Sequence, residues 1–300
     1  MTGNFDKIIN KDKSVFFYEK PFPIMIIDNL LQPEIFCNIK KEYLNKMNIQ
    51  ENQSFRQEKL TLDNEKLDKY DNINILGGGH DQKSKEEIES IFNDTEYFKL
   101  LLAYFDSEEF INFIWSHFRK FKVVNKSFYY RIPKLRKPTY KRTIFDNIFY
   151  KNYYLNFKIA RYPNNSGIGL HTDNNHKVMS FLFYLGFSDN KNRNIGGTQF
   201  WDSGNLKSSL KKNLKNNELR DHQFINHENF KLFKNVEPYE NRFVAFFRTD
   251  HSWHSVEPIS GLEKNVTRET LQINFMKTIG HRGLGSLLSK IKQNFTKLLT

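Results

Sequence analysis

His171, Thr172 and Asp173 stand together in one short segment, and His254 follows much later. Two imidazoles and one carboxylate can occupy one triangular face of an octahedral metal and leave the opposite face open to substrates. That donor set suits Fe(II). In an extended segment side chains alternate faces, so His171 and Asp173, two residues apart, point the same way. His251 and His254 are three apart, so only one of them faces inward on a regular strand, and spacing alone leaves both open. His176 has the context of a solvated loop histidine. His80, His117, His222, His227 and His281 have no ligand-like context.

Short β-rich runs bounded by Gly, Asn or Pro must position these residues. Phe157 to Pro163 precedes a polar turn, Asn164 to Gly169, and then Leu170 and the H-T-D. Val178 to Leu185 follows, then Gly196-Gly197-Thr198-Gln199-Phe200-Trp201, Asn241 to Phe247, Trp253 to Pro258, and Arg268 to Phe275. Such a series predicts strands closing into a barrel or jelly roll.

The order of these elements resembles the 2-oxoglutarate- and Fe(II)-dependent oxygenases, and among them the prolyl-4-hydroxylase-like group. The resemblance covers about residues 155–276. It rests on Tyr162-Pro163 before the turn, the H-x-D, the Tyr184-Leu185 strand end, Gly196-Gly197-x-x-Phe200, His254-x-Val256-x-Pro258 and the late Arg268. It implies an α+β fold: a double-stranded β-helix (jelly-roll) core with N-terminal helices packed on one sheet. It selects His254 over His251, because Val256 and Pro258 follow His254. The implied metal ligands and catalytic centre are His171, Asp173 and His254. The implied cofactors are Fe(II) and 2-oxoglutarate, with O2 as cosubstrate and ascorbate as a candidate accessory.

A dicarboxylate deep in a barrel needs a cation, and the planar fork of arginine grips a carboxylate through two parallel hydrogen bonds. The resemblance assigns this role to Arg268, although the gap after His254 is longer than usual and Ser260 to Thr267 reads as an extended turn. Lys264, in that turn, is the other nearby candidate. Thr270 shares the face of Arg268 and adds a hydroxyl. Tyr162 and Tyr184 match positions that contact the cosubstrate in the family; the plainer reading of each is a core aromatic with a polar tip. A carboxylate at Asp173 also departs from the resembling halogenases, which carry a small residue there. The implied reaction therefore converts 2-oxoglutarate and O2 to succinate and CO2 while hydroxylating a substrate: a small molecule, a glycan precursor or a protein side chain. Two other readings compete, a nucleic-acid oxidative demethylase and a non-catalytic jelly-roll binding protein. The demethylases typically carry two arginines in the last motif, and Arg268 stands alone through Met276.

The 300 residues carry one cysteine, Cys37, which excludes an internal disulfide and suits a reducing compartment, so the expected location is cytoplasmic. Residues 1–20 lack the apolar core of a signal peptide, and no run approaches a membrane span. The net charge of +12 comes with a Lys-, Asn-, Ile- and Phe-rich composition that reads as coding bias. A strand is predicted at Met25 to Asp28, and helices from Pro33, over Ser84 to Phe92, Glu96 to Phe105 and Ser107 to Phe121. Leu76 to His80 reads as a loop. The expected organisation is a single oxygenase domain, 1–280, with a helical part to about 125, a core over about 126–280 and an insertion at about 203–235, followed by an amphipathic helix, 281–300. The insertion reads equally as a lid or as a surface excursion. Arg119 to Arg142 is rich in Lys and Arg, contains no acid and interleaves aromatics. That composition suits weak polyanion contact, and, as the plainer reading, a strand–loop–strand in a Lys-rich chain. The C-terminal helix suits packing on its own domain or homodimer formation, with membrane-surface attachment as the alternative.

Overall fold

The computed structural model describes residues 7–58, 85–119, 132–135, 150–173, 177–191, 193–204 and 230–277. Most of Arg119–Arg142, the middle of the 203–235 insertion, the Leu76–His80 loop, His176 and the 281–300 segment lie outside these residues.

Among the described residues the chain forms β1 (Ser14–Tyr18), β2 (Ile24–Asp28), α1 (Pro33–Glu58), α2 (Lys85–Ile91), α3 (Tyr97–Phe105), α4 (Glu108–Phe118), β3 (Ile132–Leu135), β4 (Tyr150–Tyr162), β5 (Ile168–His171), β6 (Lys177–Phe187), β7 (Thr198–Asp202), β8 (Lys231–Val236), β9 (Arg242–Phe247), β10 (Trp253–Val256) and β11 (Arg268–Lys277). A seven-stranded sheet runs β1-β2-β9-β6-β11-β4-β3, and a four-stranded sheet runs β5-β10-β7-β8. Every pairing is antiparallel except β3 with β4. From β4 to β11 the chain crosses repeatedly between the sheets, an order consistent with a jelly roll. Two strands were not anticipated. β1 is a short edge piece, and β8 occupies the end of what reads as a polar insertion; β3, also an edge piece, falls within the Arg119–Arg142 stretch. The exposed, charged residues of β8 hide a strand whose partner, β7, supplies the order.

Strand alternation divides the large sheet into two faces with different duties. On one face Phe157, Ile159, Phe181, Phe183, Phe243, Leu271, Ile273 and Phe275 share a buried cluster with helix residues such as Phe36, Tyr43, Phe105 and Phe110. Phe105 meets Phe183 with ring centroids 5.6 Å apart and Phe243 at 5.9 Å. Each such buried side chain contributes about 1.5–3 kcal/mol, which fixes the register of every strand involved. The other face carries Tyr162, Tyr184, Ser180, Arg268 and Thr270. A second cluster, Ile24, Ile26, Tyr184, Val244 and Phe246 with Phe200 and Val236, joins the two sheets.

The helices are started by local chemistry. Ser107 Oγ accepts the N–H of Phe110 at 3.0 Å, and Glu108 and Glu109 sit in the first turn of α4, where the helix dipole favours anions. The first turn of α3 has no side-chain cap of its own; the Glu42 carboxylate on α1 accepts the N–H groups of Glu96, Tyr97 and Phe98 instead. Between helices and sheet, buried Glu269 accepts hydrogen bonds from Tyr43, Arg161 and Thr267. Tight turns fall to Asn: residues 29, 165, 190, 241 and 265 all have positive φ, which Asn tolerates better than other side chains. No described helix is long and apolar enough to cross a membrane.

Candidate metal and cosubstrate site

His171 ends β5 and His254 lies on β10, and the two are direct partners in the antiparallel register. Directly opposed residues hold their Cβ atoms about 4.5–5.5 Å apart, so this pairing brings together two histidines far apart in sequence. The ring centroids lie 4.3 Å apart. Asp173 follows just beyond the end of β5, so strand alternation does not by itself set its approach. Its Oδ2 accepts from Ser180 Oγ on β6, and its Oδ1 accepts from Lys177 Nζ at 2.6 Å. One ligand atom from each of His171, Asp173 and His254 lies within 4.8 Å of the others. His251 is exposed and outside this cluster.

The two rings are set in the same tautomer. His171 Nδ1 lies 2.9 Å from the carbonyl of Gly169, and His254 Nδ1 lies 2.9 Å from that of Ser252. A carbonyl oxygen only accepts, so each Nδ1 carries its proton and each Nε2 presents a lone pair. Such outer hydrogen bonds orient imidazole ligands. His254 Nε2 already points at Asp173, 3.9 Å from Oδ2, and its ring rests 4.6 Å from that of Phe246. Burial, with His254 alongside, pushes the His171 pKa down to about 3, and burial lowers that of His254. Burial works against the Asp173 carboxylate, yet Lys177 and the neighbouring imidazoles outweigh it and hold its pKa below the usual range. Both rings are thus neutral and the carboxylate ionised near neutral pH, the protonation states a divalent cation requires.

A pH dependence follows. Between about pH 6.5 and pH 3 the unfolded chain protonates His171 and the folded chain does not, so lowering the pH favours unfolding. In the metal-free protein the difference in melting temperature, wild type minus His171→Asn, should therefore fall as pH drops from 7.5 to 5. A constant difference would mean that His171 is not held neutral.

Arg268 opens β11 and is 1% exposed. Its guanidinium carbon lies 4.8 Å from the ring centre of Tyr162 and 5.1 Å from that of Tyr184, and its Nε and Nη1 have no hydrogen-bond partner. Thr270, on the same face, has an equally unpartnered buried hydroxyl. A buried cation with idle donors costs free energy unless something pairs with it. The fork is of the right shape for a carboxylate. Tyr184 donates to or accepts from Thr198 Oγ1 at 2.6 Å, and Tyr162 accepts from Gln272 Nε2 at 3.2 Å, so both phenols are fixed beside the guanidinium. Gly196 explains part of the Gly-Gly motif: with φ +70°, a Cβ there would meet Ile259 Cγ1 at 2.6 Å and Arg268 Cδ at 3.2 Å. Lys264, the alternative cation, is exposed.

Residues 157–276 match the family model described as the 2OG-Fe(II) oxygenase superfamily. This segment is similar to the domains of that superfamily. The cofactors of such a domain are Fe(II) and 2-oxoglutarate, and the donor set and the idle guanidinium of this chain fit both. No curated protein matches the chain. Among solved structures, the chain is similar to a Pseudomonas putida prolyl-4-hydroxylase, at 17% identity and a TM-score of 0.26, over 41% of this chain and 49% of that one. The chain thus spans about half the length of that protein. HygX from Streptomyces hygroscopicus with iron bound is similar at 11% identity and a TM-score of 0.33, over 92% of this chain and 84% of that one.

Sequence reasoning missed the groups that hold Asp173. Ser180, Lys177 and Arg248, whose Nε donates to the Asp173 carbonyl at 3.1 Å, carry no motif of their own. Ser180 had one faint signal: it is the polar residue in an apolar run, four residues before Tyr184 and so on its face.

Proposed function

We propose that this chain is a 2-oxoglutarate- and Fe(II)-dependent dioxygenase that hydroxylates an organic substrate, a small molecule, a glycan precursor or a protein side chain. The observation that carries this reading is a preset His-Asp-His cluster, its histidines on the four-stranded sheet, together with a buried guanidinium on the seven-stranded sheet whose Nε and Nη1 have no partner. His171 and His254 hold Fe(II) through Nε2, and Asp173 holds it through its carboxylate. Arg268 grips the distal carboxylate of 2-oxoglutarate, with Thr270 adding a hydroxyl and Tyr162 and Tyr184 bracketing the fork. Ser180 and Lys177 keep Asp173 aimed, as positioning residues. When bound, Fe(II) and 2-oxoglutarate let O2 be split, one oxygen passing to succinate as CO2 leaves and the other to a substrate C–H bond. The protein supplies orientation and an open face on the metal. The carboxylate at Asp173 fills the place that a halide needs, which favours hydroxylation. The N-terminal helices serve as the cover of the large sheet, a reading supported by the Phe105 and Phe110 contacts.

The test is succinate release from 2-oxoglutarate with Fe(II) and O2, screened over amino acids, peptides, sugars and oligonucleotides. Stimulation by an amino acid, peptide or sugar supports the reading. Stimulation by oligonucleotides alone, persisting at physiological salt, points to nucleic-acid demethylation instead. Iron-independent inertness points to a binding protein.

A further inference from the structure

The inner face of β4 changes character along its length. Tyr162 and Ala160 are buried beside Arg268 and Thr270, their register partners. Lys158, Asn156 and Tyr154, the next residues on that face, are only half-buried, while Leu155, Phe157 and Ile159 on the opposite face are buried throughout. Burial on this face of β4 therefore decreases from Tyr162 towards Tyr154. Lys158 stands at this transition, opposite Gln272, whose side chain already touches Tyr162.

The charges nearby are otherwise matched. Lys177 is paired with Asp173, and Arg248 with Asp250 at 3.0 Å. Arg268 is matched once 2-oxoglutarate is bound. Lys158 makes no ion pair among the described residues, and burial with the proximity of Lys177 lowers its pKa. A half-buried lysine without an ion-pair partner is held at a cost in free energy, beside the polar Asn156 of its own face and opposite Gln272.

We propose that Lys158 binds a compact oxyanion, a carboxylate or a phosphate, carried by the prime substrate, and so orients that substrate at the mouth of the site. The inference rests on the oxygenase reading above and adds the substrate class: anionic rather than neutral. Lysine suits this duty as a compact point charge that accepts either group without a fixed fork geometry.

The test uses full-length protein, loaded anaerobically with Fe(II) and saturating 2-oxoglutarate, both verified by titration. Inorganic phosphate is added and its 31P relaxation, enhanced near the paramagnetic metal, is followed; 13C-labelled acetate is titrated separately. A saturable enhancement is expected in wild type. Lys158→Ala should raise the half-saturating concentration at least tenfold, Lys158→Arg should restore most of the binding, and Fe(II) and 2-oxoglutarate affinities should stay within twofold. The anion that saturates first identifies the group. Enhancement that does not saturate, or that survives in Lys158→Ala, overturns the inference while leaving the oxygenase reading intact. A large loss of 2-oxoglutarate affinity in Lys158→Ala overturns it too, by making Lys158 a cosubstrate residue. If the wild type binds neither Fe(II) nor 2-oxoglutarate, both readings fall together.

Discussion

Arg268→Ala should weaken 2-oxoglutarate binding by about 2–5 kcal/mol, the scale for removing one partner of a buried charge pair. At about 1.4 kcal/mol per tenfold, this is a loss of roughly 30-fold to several thousandfold, measurable by anaerobic titration. Arg268→Lys should recover only part of it, because an ammonium cannot make two parallel hydrogen bonds. The same substitution has an unusual expected effect on stability. Truncating a large buried side chain normally destabilises, but Arg268 lacks partners at Nε and Nη1. Replacing it with Met, which keeps much of the volume and removes the uncompensated charge, should leave the cosubstrate-free protein as stable as wild type or more so. A destabilised Arg268→Met with unchanged 2-oxoglutarate affinity would mark Arg268 as structural and turn attention to Lys264.

The largest expected effect is at the metal. His171→Ala, Asp173→Ala and His254→Ala should each abolish stoichiometric Fe(II) binding while circular dichroism stays that of the folded protein. The separate substitutions matter because His171 and His254 are cross-strand partners, so either loss leaves one imidazole and one carboxylate, too few to fix the ion. Retained Fe(II) binding in His254→Ala with loss in His251→Ala would move the distal ligand to the exposed neighbour.

The sequence made the triad legible because metal chemistry needs particular residue types at particular spacings. Arg268 was legible through its resemblance to a family position, and the structure adds that its guanidinium is buried between two tyrosine rings with Nε and Nη1 unpartnered. Strands β4 and β11 were readable because each alternates an apolar face with a more polar one, and β6 and β9 because each is a nearly unbroken apolar run buried on both faces. β8 was not, because as an edge strand it carries Lys231, Leu232, Phe233 and Lys234 outward and has no alternation to read. The approach of Asp173 was only partly readable. Spacing in an extended segment predicts one face for His171 and Asp173, but the strand stops at His171, and Ser180 and Lys177 from β6 do the aiming. Such contacts arise from tertiary pairing and leave no local pattern. Lys158 was in plain view in the sequence, yet its meaning depends on which neighbours already have counter-ions.

The central claim is that one site holds both Fe(II) and 2-oxoglutarate and couples them to O2. Its most direct test is an anaerobic titration of metal-free protein with Fe(II) and then 2-oxoglutarate, followed by admission of O2 and quantification of succinate. The account predicts one equivalent of each bound, 2-oxoglutarate binding that depends on both the metal and Arg268, and succinate formed in step with 2-oxoglutarate consumed. Absence of saturable Fe(II) binding, or binding of both without any succinate on exposure to O2, would contradict it.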